Sequence, residues 1–358
     1  LEEYWNAAPV PPTIVPGSKA LFLAEAPGAE EDVLGEVLIG ESGKECTEML
    51  SAAGIPRSTV SLANVLPRRP MQNNLKSLCV KKAEVPASYT YPPVSGQGNY
   101  LHPEVLNDAL PKLRRLLEEL KPNLVVAMGN TALWAMCQVT GINKYRGTVL
   151  PAQLVPGLKV LPTFHPAYIL RVWKERVVLV SDFIRARQEL QYPDIRKTSR
   201  KIWIEPTLGD LDTFQREHLQ GAEVVSCDIE TFRRQITCIG FAPNRGHTLV
   251  VPFVDRGKEN CSYWETPEDE ARAWRWVRNL LEGPTPLVFQ NGLYDLQYLA
   301  LYGFRPTRFL HDTMLMHHAL HPEMKKSLGF LGSLYTQEGG SFKLFNPKGS
   351  DHFKREDT

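Results

Sequence analysis

The sequence predicts two α/β domains, a three-layer domain on a largely parallel sheet followed by a smaller domain on a mixed sheet. With 358 residues the chain is too long for most single cores. Through the first half, short apolar runs alternate with helical patterns, which implies strand–helix–strand crossovers and a parallel sheet. In the second half three apolar runs follow one another closely, as in an antiparallel meander, and the first of them carries a pair of carboxylates.

In the first half, residues 1–17 form a Pro-rich surface arm. Ala20-Leu21-Phe22-Leu23-Ala24 reads as a central strand that ends in Glu25-Ala26-Pro27-Gly28. Ser42 to Ala53 is helical in pattern and Thr59 to Val65 strand-like. A helix from about Glu104 to Leu120, a strand at Leu124–Ala127, a helix at Asn130–Gln138 and a strand at Leu158–Leu161 follow, with Pro122 and Gly129 as breakers. Ligands of parallel sheets bind at the carboxyl ends of the strands. Three such ends carry polar side chains: Glu25, Asn64 and His165. A helix from about Arg171 to Leu190 closes a domain of residues 1–192, and 193–200 is a linker.

In the domain of residues 201–358, Lys201-Ile202-Trp203-Ile204 enters the sheet. The Val224 to Thr231 strand, Ile236–Phe241 and Thr248–Pro252 continue it. Only Phe232-Arg233-Arg234-Gln235 joins the first pair, shorter than the family resemblance given below implies, which suggests a mobile loop or omitted residues. Thr266-Pro267-Glu268-Asp269 starts a helix with a capping Thr, Pro at its first position and acids in its first turn. Gly283-Pro284 stops that helix, and Pro286–Phe289 is a short buried strand.

Asp228 and Glu230 are two apart on one strand, so they share a face and lie roughly 7 Å apart. Two such carboxylates repel, and burial raises the cost of ionising both. A hard divalent cation removes that cost. Asn291 and Asp295 follow at a strand-to-helix junction. His317 and His318 are adjacent on a helix and diverge by about 100°, so they do not chelate together.

Lys+Arg total 41 against Asp+Glu 40, which excludes a global polycation and makes any DNA-binding surface local. Residues 66–102 hold Arg68, Arg69, Lys76, Lys81 and Lys82, either a solvated loop or a basic rim in which Arg68 and Arg69 meet phosphates. The six cysteines, at 46, 79, 137, 227, 238 and 261, form no C-x-x-C pair and fit a reducing, cytoplasmic compartment. No long apolar run or signal peptide is present, so no membrane partner is expected. The chain opens at Leu1 without Met and ends on a charged tail, as a piece of a longer protein would.

Ala24-Glu25-Ala26-Pro27-Gly28-Ala29-Glu30-Glu31-Asp32, Ile39-Gly40-Glu41-Ser42-Gly43, Ala63-Asn64-Val65 and His165-Pro166-Ala167 stand in the order seen in the uracil-DNA glycosylase superfamily. Residues 18–190 resemble that family, especially its iron–sulfur branch. The resemblance implies a base pocket in which Glu25 orients water or stabilises the sugar cation, His165 stabilises the departing base anion, Asn64 reads a flipped-out base, and Gly28 lets backbone approach the phosphodiester chain. Two positions depart from it. Leu38 stands where the family stacks an aromatic on the base, forfeiting part of a term of about 1–3 kcal/mol. The cluster cysteines are absent, since Pro67-Arg68-Arg69-Pro70 has none and Cys79 alone holds no cluster, so no iron–sulfur cofactor is expected. An active glycosylase and a fold kept for DNA contact both remain open.

Asp228-x-Glu230 followed by Asn291-x-x-x-Asp295 resembles the first motifs of the DEDD 3′→5′ exonucleases, which have an RNase H-like fold. His311-Asp312-Thr313 and Lys326-Ser327-Leu328 resemble the proofreading domain of phage polymerases of the polymerase I family. The resemblance implies a host-cytoplasmic DNA polymerase region that trims single-stranded 3′ ends of primer–template DNA, with its polymerase domain beyond this sequence. Asp228, Glu230 and Asp295 would bind a pair of Mg²⁺ or Mn²⁺ ions about 3.5–4 Å apart. Asn291 would support the loop, and Asp312 would cap a helix. The fourth acid of the family is expected past Thr358, with the His352 to Asp357 spacing a chance match. A stand-alone repair glycosylase and a non-catalytic DNA-holding module are the alternatives. Base excision without metal marks the first; tight binding with no product marks the second.

Overall fold

The computed structural model describes residues 1–95, 98–196 and 199–336, in two compact units. The first comprises Leu1–Ile195 and the chain from Gly329 onward; the second is Arg196–Leu328.

The first unit is built on strands β1 (Ala20–Ala24), β2 (Ser61–Asn64), β3 (Cys79–Lys81), β4 (Asn99–Leu101), β5 (Leu124–Met128), β6 (Leu150–Pro151) and β7 (Lys159–Thr163). Its main sheet has the order β2-β1-β5-β7-β6, parallel throughout except for the edge strand β6. Every residue of β1, β5 and β7 is buried, as required when helices cover both faces of a parallel sheet. Helices Glu41–Ala52, Pro103–Leu120, Asn130–Cys137 and Arg176–Glu189 belong to this unit. The Arg171–Leu190 helix therefore begins later than expected, after a short helix at Pro166–Ile169 and a 3₁₀ turn at Trp173–Glu175. The amino-terminal arm adds to the free edge of β2, where Thr13 and Leu62 exchange both backbone hydrogen bonds at 2.9 Å. β3 and β4 form a separate hairpin within the basic insertion.

The second unit has strands β8 (Lys201–Trp203), β9 (Val225–Phe232), β10 (Gln235–Ala242), β11 (His247–Pro252), β12 (Leu287–Phe289) and β13 (Phe309–Asp312), in the order β13-β12-β9-β10-β11-β8. β9, β10 and β11 are the antiparallel meander, while β8, β12 and β13 each pair in parallel. This is the mixed sheet expected of an RNase H-like domain. Alternation along β9 sends Val225, Cys227 and Ile229 into a core with Phe241, Val251, Val277 and Phe289, and leaves Asp228 and Glu230 on the open face.

Two expectations are corrected. Where a loop or omitted residues were expected between β9 and β10, Arg233 and Arg234 both take left-handed backbone, with φ of 48° and 64°, and close a two-residue hairpin. The helix Leu328–Tyr335, expected in the second domain, packs from Gly329 onward with the first unit, because Ser333 there satisfies the buried Arg146. The His352 to Asp357 segment lies outside the described residues.

Among the described residues of the first unit two ion pairs are buried, Arg146–Asp182 and Lys159–Glu189. Lys159 donates from Nζ to Glu189 Oε2 at 2.9 Å and to the Asp194 carbonyl at 3.2 Å, under the ring of Tyr192. Removing one partner strands a buried charge, which costs about 3–5 kcal/mol, whereas an apolar pair of similar volume is often neutral. Lys159→Ala should lower denaturant stability by about that amount, and Lys159→Met combined with Glu189→Leu should recover most of it.

Candidate functional site

Parallel strands bring their carboxyl ends to one edge of the first sheet. Glu25 follows β1, Asn64 ends β2, Gly129 follows β5, and His165 lies two residues past β7. A cleft of about 630 Å³ opens there, lined by all four, with Gly28 and Leu38 also in its wall.

His165 caps the short helix Pro166–Ile169 and accepts the Ala167 amide at Nδ1, 3.2 Å away. That bond places the ring proton on Nε2. Burial lowers its pKa to about 4 against the opposing pull of Glu31, so the ring is neutral at physiological pH. Gly129 has φ +92°, and a Cβ there would come 3.3 Å from the His165 Cβ. Glu25 accepts a 2.5 Å hydrogen bond from the Thr131 hydroxyl, which fixes one of its oxygens. The Asn64 side-chain nitrogen is buried with no hydrogen-bond partner among the described residues. Such a donor costs about 1–3 kcal/mol until a ligand meets it.

Glu31 and Arg57 hold the two loops of the cleft. The buried Glu31 carboxylate accepts the Gly28 amide at 3.0 Å and the Gly40 amide at 3.2 Å. A Cβ on Gly28 would sit 2.5 Å from that carboxylate, so this glycine is set by an internal contact. Leu38 is buried at φ 55°, and Arg57 donates to its carbonyl at 2.8 Å and to that of Val37 at 3.2 Å. Gly43 has no room for a side chain, since a Cβ would lie 1.8 Å from the Leu38 oxygen. The cleft's aromatic surface comes from Phe164 and Tyr168, whose rings are 5.0 Å apart.

Sequence reasoning missed Arg57 and Thr131, and assigned Glu31 no role. All three act through loop geometry, which spacing along the chain does not encode. Arg68 makes internal contacts. Its Nη1 donates to the Ala7 carbonyl at 2.5 Å and its guanidinium lies over Trp5, so it anchors the arm and does not line the cleft. Arg69 reaches the cleft only through Asn73, at 2.7 Å.

In the second unit, Asp295 lies on the helix Gly292–Leu301 and accepts the Ile229 amide of β9 at 3.0 Å, which seats it beside the Asp228/Glu230 face. Asp312 sets that helix: it accepts the amides of Asn291 (3.1 Å) and Gly292 (2.7 Å) while capping its own helix through Met314. Asn291 holds the left-handed turn at φ 60°, a conformation that suits Asn. Gly292 is required because a Cβ would fall 2.7 Å from the Phe289 Cβ.

Burial, then the charge of Glu230, raises the pKa of Asp228. Burial, with Asp228 adding to it, raises that of Asp295 to about 6 despite the Ile229 hydrogen bond. No salt bridge ties up Asp228, Glu230 or Asp295 among the described residues. The three were expected to converge as metal ligands. Among the described residues no three His, Cys, Asp or Glu side chains form a ready ion cage, as mutual repulsion of uncompensated carboxylates would dictate.

The likenesses to known proteins divide in the same way. The exonuclease domains resembling the chain in structure are distant. Brucella melitensis NrnC with bound Mg²⁺ has TM-score 0.26 and 18% identity, over 38% of this chain and 61% of that one. Escherichia coli RNase D has TM-score 0.26 and 15% identity, over 37% and 32%. Likenesses this remote carry no weight for function, and the nuclease reading stands on the carboxylates and the sheet.

The first unit is different. The Type-4 uracil-DNA glycosylase of Thermotoga maritima is 31% identical over 156 residues, 43% of this chain and 67% of that protein. That of Archaeoglobus fulgidus is 31% identical over 172 residues, 46% of this chain and 74% of that protein. The profile of the uracil DNA glycosylase superfamily matches residues 11–191, which hold the whole strand-end cleft, and the chain belongs to that superfamily.

Proposed function

We propose that the first unit excises a base, uracil by analogy with its relatives, from DNA. The observation that carries this reading is the buried Asn64 side-chain nitrogen, without a partner among the described residues, in one cleft with Glu25 and the neutral His165. A base entering the cleft accepts from the Asn64 Nδ2 and takes the Nε2 proton donor of His165 at a carbonyl oxygen. When the C1′–N bond breaks, its electron pair moves onto the base, where His165 stabilises the anion. Glu25, fixed by Thr131, faces the cationic sugar and orients the water that adds to C1′; the water's proton leaves toward the carboxylate, and the base is protonated after release.

No step of this scheme uses a metal. The assay is alkaline cleavage of an oligonucleotide bearing one uracil, with chelator present. Asn64→Ala should cut kcat/KM by about tenfold to a hundredfold, from a lost hydrogen bond of about 1.4–3 kcal/mol. Uracil-containing DNA left intact by the unaltered chain would refute the proposal.

His165 also sets a pH dependence. Because its folded pKa is about 4 and its ordinary value 6.5, the unfolded chain binds the extra proton first as pH falls. Stability associated with His165 is therefore full above pH 6.5 and is lost as pH falls toward 4. Excision should show no inflection near pH 6.5, with its acid limb nearer 4, in a kcat/KM profile.

A second reading is favoured by the place of Asp228 and Glu230 on one face of β9 with Asp295 seated beside it, where burial and neighbouring carboxylates raise the pKa of both aspartates. Hard carboxylate oxygens fit Mg²⁺ or Mn²⁺, and Asp228, Glu230 and Asp295 would hold the ions. When bound, divalent ions supply a hydroxide nucleophile at neutral pH and offset charge on the leaving 3′-oxygen. The chain's own residues seat Asp295 through Ile229 and fix its helix through Asp312. We infer 3′→5′ exonuclease activity on single-stranded DNA ends, in the proofreading region of a phage-type DNA polymerase acting in the host cytoplasm on primer–template DNA. Asp228→Ala should abolish Mn²⁺-dependent digestion of a 3′-labelled single strand and leave base excision unchanged. Normal digestion by that variant would refute the assignment.

A further inference from the structure

The helix Leu328–Tyr335 lies outside the superfamily match at residues 11–191, yet its Ser333 bonds Arg146, which stands beside the cleft residue Phe164. Arg146 is 3% exposed and sits at the junction. Its Nε and Nη2 donate to the two oxygens of the buried Asp182, at 3.1 and 2.5 Å. Its Nη1 donates to Ser333 Oγ at 2.7 Å, and Ser333 in turn donates to the Phe330 carbonyl.

Asp182 also accepts the Thr163 hydroxyl at 2.7 Å, at the last residue of β7. The guanidinium stands 5.9 Å from the ring centre of Phe164 and 5.8 Å from that of Phe330. Phe164 lines the cleft and precedes His165. The next residue, Gly147, donates its amide to the Pro162 carbonyl of β7 at 2.9 Å. A Cβ on Gly147 would lie 3.1 Å from the Ser333 carbonyl oxygen, so the helix backbone packs directly on this loop. The strand end that presents His165 is thus held by Arg146, and Arg146 is held in part by a helix from the far side of the second unit's sequence.

We propose that Arg146, locked by Ser333, is a positioning residue for the Thr163-Phe164-His165 strand end, and that the glycosylase-fold unit needs the helix Leu328–Tyr335 to set its base pocket. Arg146 touches no substrate; it acts through Asp182 on Thr163 and through its face on Phe164. A guanidinium with one unpaired buried fork has a reason to move, and the Thr163 and Phe164 contacts move with it. The catalytic part rests on the base-excision reading, while the structural part does not.

The test uses the whole chain with Ser333→Arg, which places two cations together, and the milder Ser333→Ala. Hydrogen exchange of the segment 161–169 should quicken about tenfold or more in Ser333→Arg and by a smaller factor in Ser333→Ala. Exchange in β9 and β10 should stay unchanged. On uracil-containing DNA, kcat should fall about tenfold with KM within about twofold, since a misplaced His165 loses transition-state contacts. Ser333→Thr, which keeps the hydroxyl, should restore both.

Unchanged exchange in 161–169 overturns the proposal, as does quickened exchange with full kcat. If Ser333→Arg fails to fold, Ser333→Ala decides by the same two readings. If the unaltered chain excises nothing, the function reading fails by itself, and the exchange result alone decides whether Ser333 locks this strand end.

Discussion

Parallel pairing is the constraint on which the first unit depends. Because β1, β2, β5 and β7 run the same way, with Leu21 beside both Ser61 and Val125 and Val125 beside Val160, their last residues emerge on one side. Glu25, Asn64, Gly129 and His165 are then neighbours although about 140 residues separate the first from the last. A packed core on both faces of these strands fixes the register, since a one-residue slip would move every side chain to the opposite face and against the wrong neighbours. The chemistry is therefore positioned by packing, and the polar groups need only stand at the right ends.

Loops finish what the strands begin. Glu31 ties the turn after β1 to the Gly40 turn, and Arg57 grips the carbonyls around Leu38. Both satisfy backbone groups that would otherwise be orphaned near the cleft. The second unit follows the opposite logic. Its core side is apolar, while Asp228 and Glu230 stand on the open face of β9 and the buried Asp295 lies next to that strand, with burial raising the pKa of both aspartates. A surface that stores electrostatic cost in this way is usually waiting for a ligand of the opposite sign.

Much of this was legible in the sequence, for definite reasons. The continuous apolar runs at Ala20–Ala24 and Leu124–Met128 are visible without any fold, as are the capping Thr266 and the Asp-x-Glu alternation in β9. Glu25, Asn64 and His165 stood out as polar residues at the ends of apolar strands. Arg57, Thr131 and Arg146 did not, because they act across 19 to 187 residues through side-chain bonds that leave no period. Nothing in the basic stretch signals that a carbonyl of the amino-terminal arm will claim Arg68. The helix Leu328–Tyr335 was placed in the wrong unit for a related reason: adjacency in sequence is a fair guide to domain membership until a buried arginine needs a partner.

In the proposed reading, four strand ends make a pocket for one base, read by Asn64 and polarised by His165. A crystal structure of the chain soaked with free uracil tests it most directly. The account predicts the base in the strand-end cleft, with one edge within hydrogen-bond distance, about 3 Å, of both Asn64 Nδ2 and His165 Nε2. An ordered uracil bound elsewhere, or a cleft holding only water at saturating uracil, would contradict it.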